Sequence, residues 1–420
     1  MTDPIEARAE ALDANVSLSD ARDRFHLPDA LYMDGNSLGP LSDAAEASLS
    51  RAISEWCDLG IRGWTDGDPP WFEYGERLGD LTAPLVGASE GEVVVANSTT
   101  ANVHALFATF YDPDRPTVLV NALDFPTDHY AIRSVMRLRG IDPDDHLALV
   151  ESRDGRAIDE ADIEAGIERH DDLGVVFMPS VLYRSGQLLD VERITLAAHD
   201  AGALCGVDLA HSIGVVPHDL SAHGVDFAVW CSYKYLNGGP GAIAGLYANE
   251  RHLPTKPGLA GWWGHEKESQ FDMNLTHTPA PDAGAFQIGT VPVLSAAPLF
   301  GALSILEDAG IEAIRERSLS LTGFLIDLAD EIEGFAVGTP RDPDRRGGHV
   351  ALEHGEAYRI SQALRSRGVI VDYRPPDVIR VCPAPLTTSH VNVARVASEL
   401  QEIVRTEEYE RFDPVSDGVT

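Results

Sequence analysis

Short apolar runs alternate along most of this chain with stretches whose apolar residues recur every three or four positions. The runs at 92–96, 117–121, 146–150, 173–178, 203–208, 226–231 and 242–247 predict short strands, and helical spacing near 101–110, 128–139, 159–170 and 191–201 predicts helices between most of them. Near-continuous apolar strands alternating with helices imply an α/β fold, a mostly parallel sheet covered on both faces. Reactive groups then belong at the carboxyl ends of the strands.

Upstream, Leu41, Ala45, Leu49, Ile53 and Trp56 recur at helical spacing behind Asp34-Gly-Asn-Ser-Leu-Gly-Pro40, so an irregular arm leads into an amphipathic helix. After Val291-Pro292 the character changes. A long helical region over 295–333 precedes strands near 348–352, 369–373 and 378–381 and a final helix, the pattern of a smaller α+β domain. The expected division is an N-terminal arm and helix over 1–60, a large domain over 61–295 and a small C-terminal domain over 296–420 that includes the linking helix. The acidic end, 407–420, is expected to fray. At 420 residues the chain exceeds the roughly 250–300 at which single cores stop growing, so more than one lobe is required.

The formal charge of −35, from 67 acidic and 32 basic side chains, is spread along the whole sequence. Nucleic acid and anionic membrane are poor partners for such a chain. Acidic residues with very few lysines fit a halophilic protein from a high-salt cytoplasm, where screening weakens self-repulsion; an ordinary acidic protein from an arginine-biased genome is the alternative. Cys57, Cys205, Cys231 and Cys382 are widely spaced and form neither a disulfide framework nor a zinc site. His211, His129 and Glu266 have no metal-ligand spacing, so no metal is expected. Without a charged-then-apolar leader pattern or an apolar run long enough to span a bilayer, the expected location is cytoplasmic.

Candidate chemistry begins with a scarcity: the 32 basic residues include only three lysines, Lys234, Lys256 and Lys267. Lys256 lies in a proline-bracketed loop and Lys267 in a polar run, and both are expected at the solvated surface. Lys234 stands at the end of an apolar strand, just before a glycine turn, where an amine that arginine cannot replace suggests a Schiff base. Asp208 ends the preceding strand, with His211 three residues on. An aspartate there is often only a helix cap, and a buried lysine only an ion-pair partner. Together on adjacent strands they fit a pyridoxal 5'-phosphate site, the carboxylate facing the protonated ring nitrogen. Thr99 and Thr100, between a strand and a helix, offer hydroxyls and backbone donors to a phosphate, or act as an ordinary cap. Phe125 is placed to stack on a cofactor ring and Asp128 to accept a hydrogen bond near its hydroxyl. No Gly-x-Gly-x-x-Gly or Gly-Lys-Ser/Thr loop supports nucleotide binding.

Six motifs, Asp34-Gly-Asn-Ser-Leu-Gly39, Phe125-Pro-Thr-Asp128, Asp208-Leu-Ala-His211, Cys231-Ser-Tyr-Lys-Tyr-Leu-Asn237, Gly261-Trp-Trp-Gly-His265 and Ile379-Arg-Val-Cys-Pro-Ala-Pro385, resemble in order those of kynureninases. The resemblance implies a fold type I pyridoxal phosphate enzyme, a homodimer that hydrolyses L-kynurenine, or its 3-hydroxy analogue, to the corresponding anthranilate and L-alanine. Carried over by position, Lys234 is the Schiff-base lysine and Asp208 the pyridinium partner. His211, Tyr233, Thr99, Thr100, Trp262 and Thr290 surround cofactor and phosphate, the last two reaching the partner subunit's site. Arg380 clamps the substrate carboxylate, with Asn36, Ser37 and Trp64 lining the substrate side. Tyr233 is the expected proton shuttle, or else a packing and phosphate-binding residue. Where the family has Ser or Thr, Pro179 stands here, and Ser180 is expected to serve instead. The rivals are a cysteine desulfurase or aminotransferase of the same fold, or a non-catalytic descendant that binds the cofactor without turnover.

Overall fold

Seven strands form the central sheet of the computed structural model, which describes residues 4–14, 18 and 20–414. Their order is Val93–Val95, Gly245–Ala248, Phe227–Trp230, Leu204–Asp208, Leu173–Pro179, Thr117–Asn121 and Leu147–Val150. The last five of that order are mutually parallel, while Gly245–Ala248 runs antiparallel to both its neighbours. The sheet is therefore mostly parallel, as expected. Every residue of Leu173–Pro179 is buried. Successive side chains of a strand point to opposite faces, so Val175 and Phe177 join the apolar core under the helices Thr99–Phe110 and Pro126–Leu138, while Val176 and Met178 join the core on the other side.

The helical stretch over 295–333 is two helices, Val293–Ala309 and Ile311–Ala329, bent by 80° around Gly310. Gly310 has φ 76°, a conformation that glycine adopts without a Cβ penalty. Among the described residues no single helix is long and apolar enough to cross a membrane; this bent pair qualifies by composition, but its apolar side chains are mostly buried in the core.

A second sheet, ordered Ala336–Val337, Val350–Glu353, Val378–Val381 and Asp372–Arg374, has its own apolar core. The expected strand over 369–373 is split between two sheets: Val369–Ile370 pairs in parallel with Leu31–Tyr32 of the N-terminal arm, and Asp372–Arg374 joins the small sheet. The arm is thereby stitched to the C-terminal half. Helix Pro4–Asp13 packs there too through Ala9, and the carboxylate of Asp13 accepts hydrogen bonds from the backbone N–H of His390 and Val391 at the start of the last helix, at 2.9 and 3.1 Å. Helix Asp43–Leu59, by contrast, packs against Val293–Ala309 beside the large sheet.

The acidic end is not frayed as far as residue 414. Glu408–Arg411 forms a short 3-10 helix, Arg367 bridges Glu399 at 2.6 Å and also Glu408, and Tyr409 and Phe412 pack on the small core. Residues 415–420, the remainder of the expected frayed segment, lie outside the described residues.

Candidate active site

The strands Leu204–Asp208 and Phe227–Trp230 are parallel neighbours, so their carboxyl ends open at one edge of the sheet. Asp208 closes the first and the loop 231–237 leaves the second. Asn237, at φ 55°, turns that loop back on itself: its N–H donates to the Lys234 carbonyl at 3.0 Å, and the Gly238 N–H donates to the Ser232 carbonyl at 2.8 Å. From the other side the arm motif closes in, the Gly39 N–H donating to the Tyr233 carbonyl at 2.7 Å. A Cβ at position 39 would collide with the Lys234 carbonyl and the Asn237 side chain, which is why glycine ends that motif.

A cavity of about 230 Å³ opens at this edge. Its floor is Asp208, Ala210, His211, Cys231, Tyr233 and Lys234; its rim is Thr99, Thr100, Phe125 and Thr127; Asn36, Ser37, Arg374 and Arg380 close the side toward the second sheet. A roomier groove of about 350 Å³ lies between helix Pro4–Asp13 and the last helix, but no buried titratable side chain faces it.

Lys234 Nζ lies 2.8 Å from His211 Nε2. Burial pulls the Lys234 ammonium below its ordinary pKa, opposed by Cys231 and Asp208. Burial, aided by Lys234 and Arg380, holds His211 well below the usual imidazole range, so a neutral ring faces the amine. Three carboxyls cluster beneath. Burial raises Asp208, while Lys234 and the Ala210 N–H, 2.7 Å from its Oδ1, pull it back. Burial pushes Asp128 well above the carboxylate range, and neighbouring Asp208 and Asp124 push it further. Asp124 is also raised by burial, although Asn121 Nδ2 donates to it at 2.7 Å. Of the pair Asp128 and Asp208, Asp128 is pushed further toward its protonated form, while Lys234 holds Asp208 toward its charged form.

The rim gathers hydroxyls at two helix starts. Thr99 and Thr100 open helix Thr99–Phe110, and Thr127 lies in the first turn of helix Pro126–Leu138. The Thr100 and Thr127 hydroxyls are 2.9 Å apart, so two helix starts with free backbone donors converge. Opposite, buried Arg380 donates to the Tyr183 carbonyl at 2.7 Å and to Ser37 Oγ at 3.0 Å. Asn36 is fully buried, and both atoms of its side-chain amide lack a partner.

Several expected residues lie elsewhere. Ser180 is not at the cavity surface: its hydroxyl meets Ser212 Oγ at 2.5 Å behind the end of the Asp208 strand. Asp128 lies below the floor rather than at the cavity wall. Trp64 belongs to an aromatic cluster, with ring centroids 5.7 Å from Trp71 and 5.3 Å from Trp263. Trp262, 46% exposed, and Thr290, also exposed, do not line this chain's cavity. Lys267 is not a solvated lysine. It is half-buried, 4.2 Å from the centroid of Phe72 and 4.7 Å from that of Trp263, and it pairs with Glu76 at 3.3 Å. Sequence reasoning passed over four lining residues: Thr127, Ala210 and Cys231, all inside motifs already singled out, and Arg374, signalled only by its place before Pro375-Pro376.

The family profile described as "Kynureninase C-terminal domain" matches residues 314–400. Kynureninase from Geobacillus thermodenitrificans is 49% identical over 410 residues, spanning 96% of this chain and 95% of that protein. The kynureninase of Shouchella clausii is 46% identical over 98% of this chain and 97% of its own length. Among solved structures, the apo cysteine desulfurase of Thermococcus onnurineus superposes with a TM-score of 0.77 at 18% identity, covering 97% of this chain and 99% of that one. A cysteine desulfurase from Escherichia coli gives 0.78 at 16% identity over 93% of this chain and 99% of its own. These two share the fold.

Proposed function

Because this chain belongs to the kynureninase family, we propose that Lys234, Asp208 and Arg380 are the working groups of a hydrolase that cleaves L-kynurenine to anthranilate and L-alanine. Such an enzyme serves tryptophan breakdown or the branch toward NAD. The observation that carries the assignment is the meeting of a buried amine, a buried carboxylate and a buried guanidinium around one cavity.

Pyridoxal 5'-phosphate fits the residues present. Asp208 offers a buried charge to a ring nitrogen, Phe125 a flat apolar side, Lys234 an amine, and Thr99, Thr100 and Thr127 a phosphate cradle. Bound there through Lys234, the cofactor supplies an electron sink for the substrate α-carbon. Lys234 takes the α-proton, its lowered pKa making the free amine more available at neutral pH. Asp208 stays charged and Asp128 neutral beneath it. Arg380, with Ser37 and Asn36, binds the substrate carboxylate. Tyr233, whose phenol burial pushes above its ordinary value, keeps its proton until it donates to the carbonyl oxygen of the bond to be broken. Tyr233→Phe is then expected to lower kcat about 10²-fold with little change in KM; an unchanged kcat would return Tyr233 to a packing role.

Incubation with pyridoxal phosphate and L-kynurenine, with the 3-hydroxy analogue in parallel, tests the function through the fluorescence of released anthranilate. Binding without release would mean a non-catalytic descendant, and amino transfer to the cofactor an aminotransferase. A desulfurase needs a reactive thiol at the cavity, and burial instead raises Cys231, the cysteine lining it.

We further infer a homodimer adapted to salt and housed in a reducing cytoplasm. Exposed Trp262 and Phe271, with ring centroids 5.5 Å apart, make an apolar patch that a second copy would cover, bringing Trp262 and Thr290 to its cavity. The four cysteines are free thiols. The charge of −35 makes like-charged subunits repel unless screened. Sedimentation across a potassium chloride series should read twice the chain mass in molar salt and dissociation when the salt is removed; a monomer throughout would refute the inference.

A further inference from the structure

Asp372 is fully buried where the small sheet meets the cavity, directly across the strand pair from Arg380. Its Oδ2 accepts hydrogen bonds from Ser37 Oγ at 3.1 Å, from Arg374 Nε at 3.1 Å and from Arg374 Nη2 at 2.9 Å, and it is ion-paired with Arg380 Nη2. One carboxylate oxygen thus ties together both cavity arginines and the N-terminal arm. The Ser37 hydroxyl closes a triangle by accepting from Arg380 Nη2, while Tyr183 takes Nη1 and Nε has no partner. A long arginine side chain loses rotamer freedom when it grips a ligand, and ordering it in advance removes that cost from binding.

We propose that Asp372 is a positioning residue: it locks Arg380, with Arg374 beside it, in the orientation that receives the α-carboxylate of the amino-acid substrate. The inference rests on Arg380 being the carboxylate clamp. An opposing effect exists, since a resident carboxylate partly neutralises the clamp. Asp34 also acts on both guanidiniums, so net charge does not set the grip; a bidentate contact depends on the direction of the fork, and orientation outweighs the lost attraction.

The test uses the pyridoxal phosphate holoenzyme and its Asp372→Asn variant, read by turnover and by the change in bound-cofactor absorbance on adding L-alanine or the decarboxylated analogue of kynurenine. In the variant the KM for kynurenine and the Kd for L-alanine should rise about 30-fold, kcat should stay within about threefold, and binding of the carboxylate-free amine should not change. In an Arg380→Ala background the same substitution should add less than about twofold, because its partner is already gone. Should Asp372→Asn fail to fold, as thermal melting would show, Asp372→Glu keeps the charge but moves the carboxylate by one methylene and should give the same selective pattern at about fivefold. Unchanged or tighter L-alanine binding, equal weakening toward the carboxylate-free amine, or full additivity with Arg380→Ala overturns the proposal. A wild-type enzyme that binds L-alanine and releases no anthranilate overturns the kynureninase reading instead, and the L-alanine series still decides the role of Asp372.

Discussion

Lys234→Ala abolishes anthranilate release, with kcat reduced on the order of 10⁵-fold, because the substitution removes both the covalent anchor of the cofactor and the base that moves the α-proton. No neighbour replaces it. His211, 2.8 Å from Nζ, is held as a neutral imidazole, and an imidazole cannot form the imine. Lys256 is exposed in its loop, and Lys267 is committed to Phe72, Trp263 and Glu76. Two measurements check this. The variant mixed with pyridoxal phosphate should lack the yellow absorbance of the lysine-bound cofactor, and borohydride reduction of the wild type should label the peptide that contains Lys234. Label on either of the other lysines, or retained turnover in the variant, would dismantle the assignment.

Asp208→Asn should lower kcat/KM about 10³-fold while leaving the fold and the covalent link to Lys234 intact. The side chain is isosteric, and the Ala210 N–H, 2.7 Å away, still finds an oxygen. What disappears is the charge opposite the ring nitrogen. Asp128 is a poor substitute, since burial and its carboxyl neighbours keep it protonated and it lies below the cavity floor. The complementary substitution separates the two roles: Asp128→Asn should cost far less, on the order of tenfold, because a neutral side chain replaces a neutral one. Comparable losses in both variants, by steady-state kinetics, would mean that the charge is shared rather than held by Asp208.

The large sheet was legible because its strands are buried on both faces and read as unbroken apolar runs; Leu173–Pro179 and Thr117–Asn121 are the clearest. Helix Tyr74–Val86 was not legible, with Gly75, Gly79 and Pro84 diluting its pattern. Its glycines are there for contact: a Cβ at Gly79 would meet the Val93 backbone. Strand direction was also hidden, because Gly245–Ala248 is as apolar as its parallel neighbours. In the site, residues that act through their own chemistry stood out by type and spacing, as Lys234 and Asp208 did, whereas Arg380 was picked out only by the resemblance. Residues that act through partners distant in sequence did not. Nothing local to Asp372 says that Ser37 and Arg374 share its oxygen, and nothing local to Ser180 says that Ser212 occupies its hydroxyl.

The stitching of Leu31–Tyr32 to Val369–Ile370, and of Ser37 to Arg380 across 343 positions, imposes an order on biosynthesis. A ribosome must have translated nearly the whole message before the arm meets its partners. Until then the nascent polypeptide carries a lysine loop that Gly39 can already brace, beside a carboxylate clamp that does not yet exist. The substrate pocket is therefore among the last parts of the molecule to be completed.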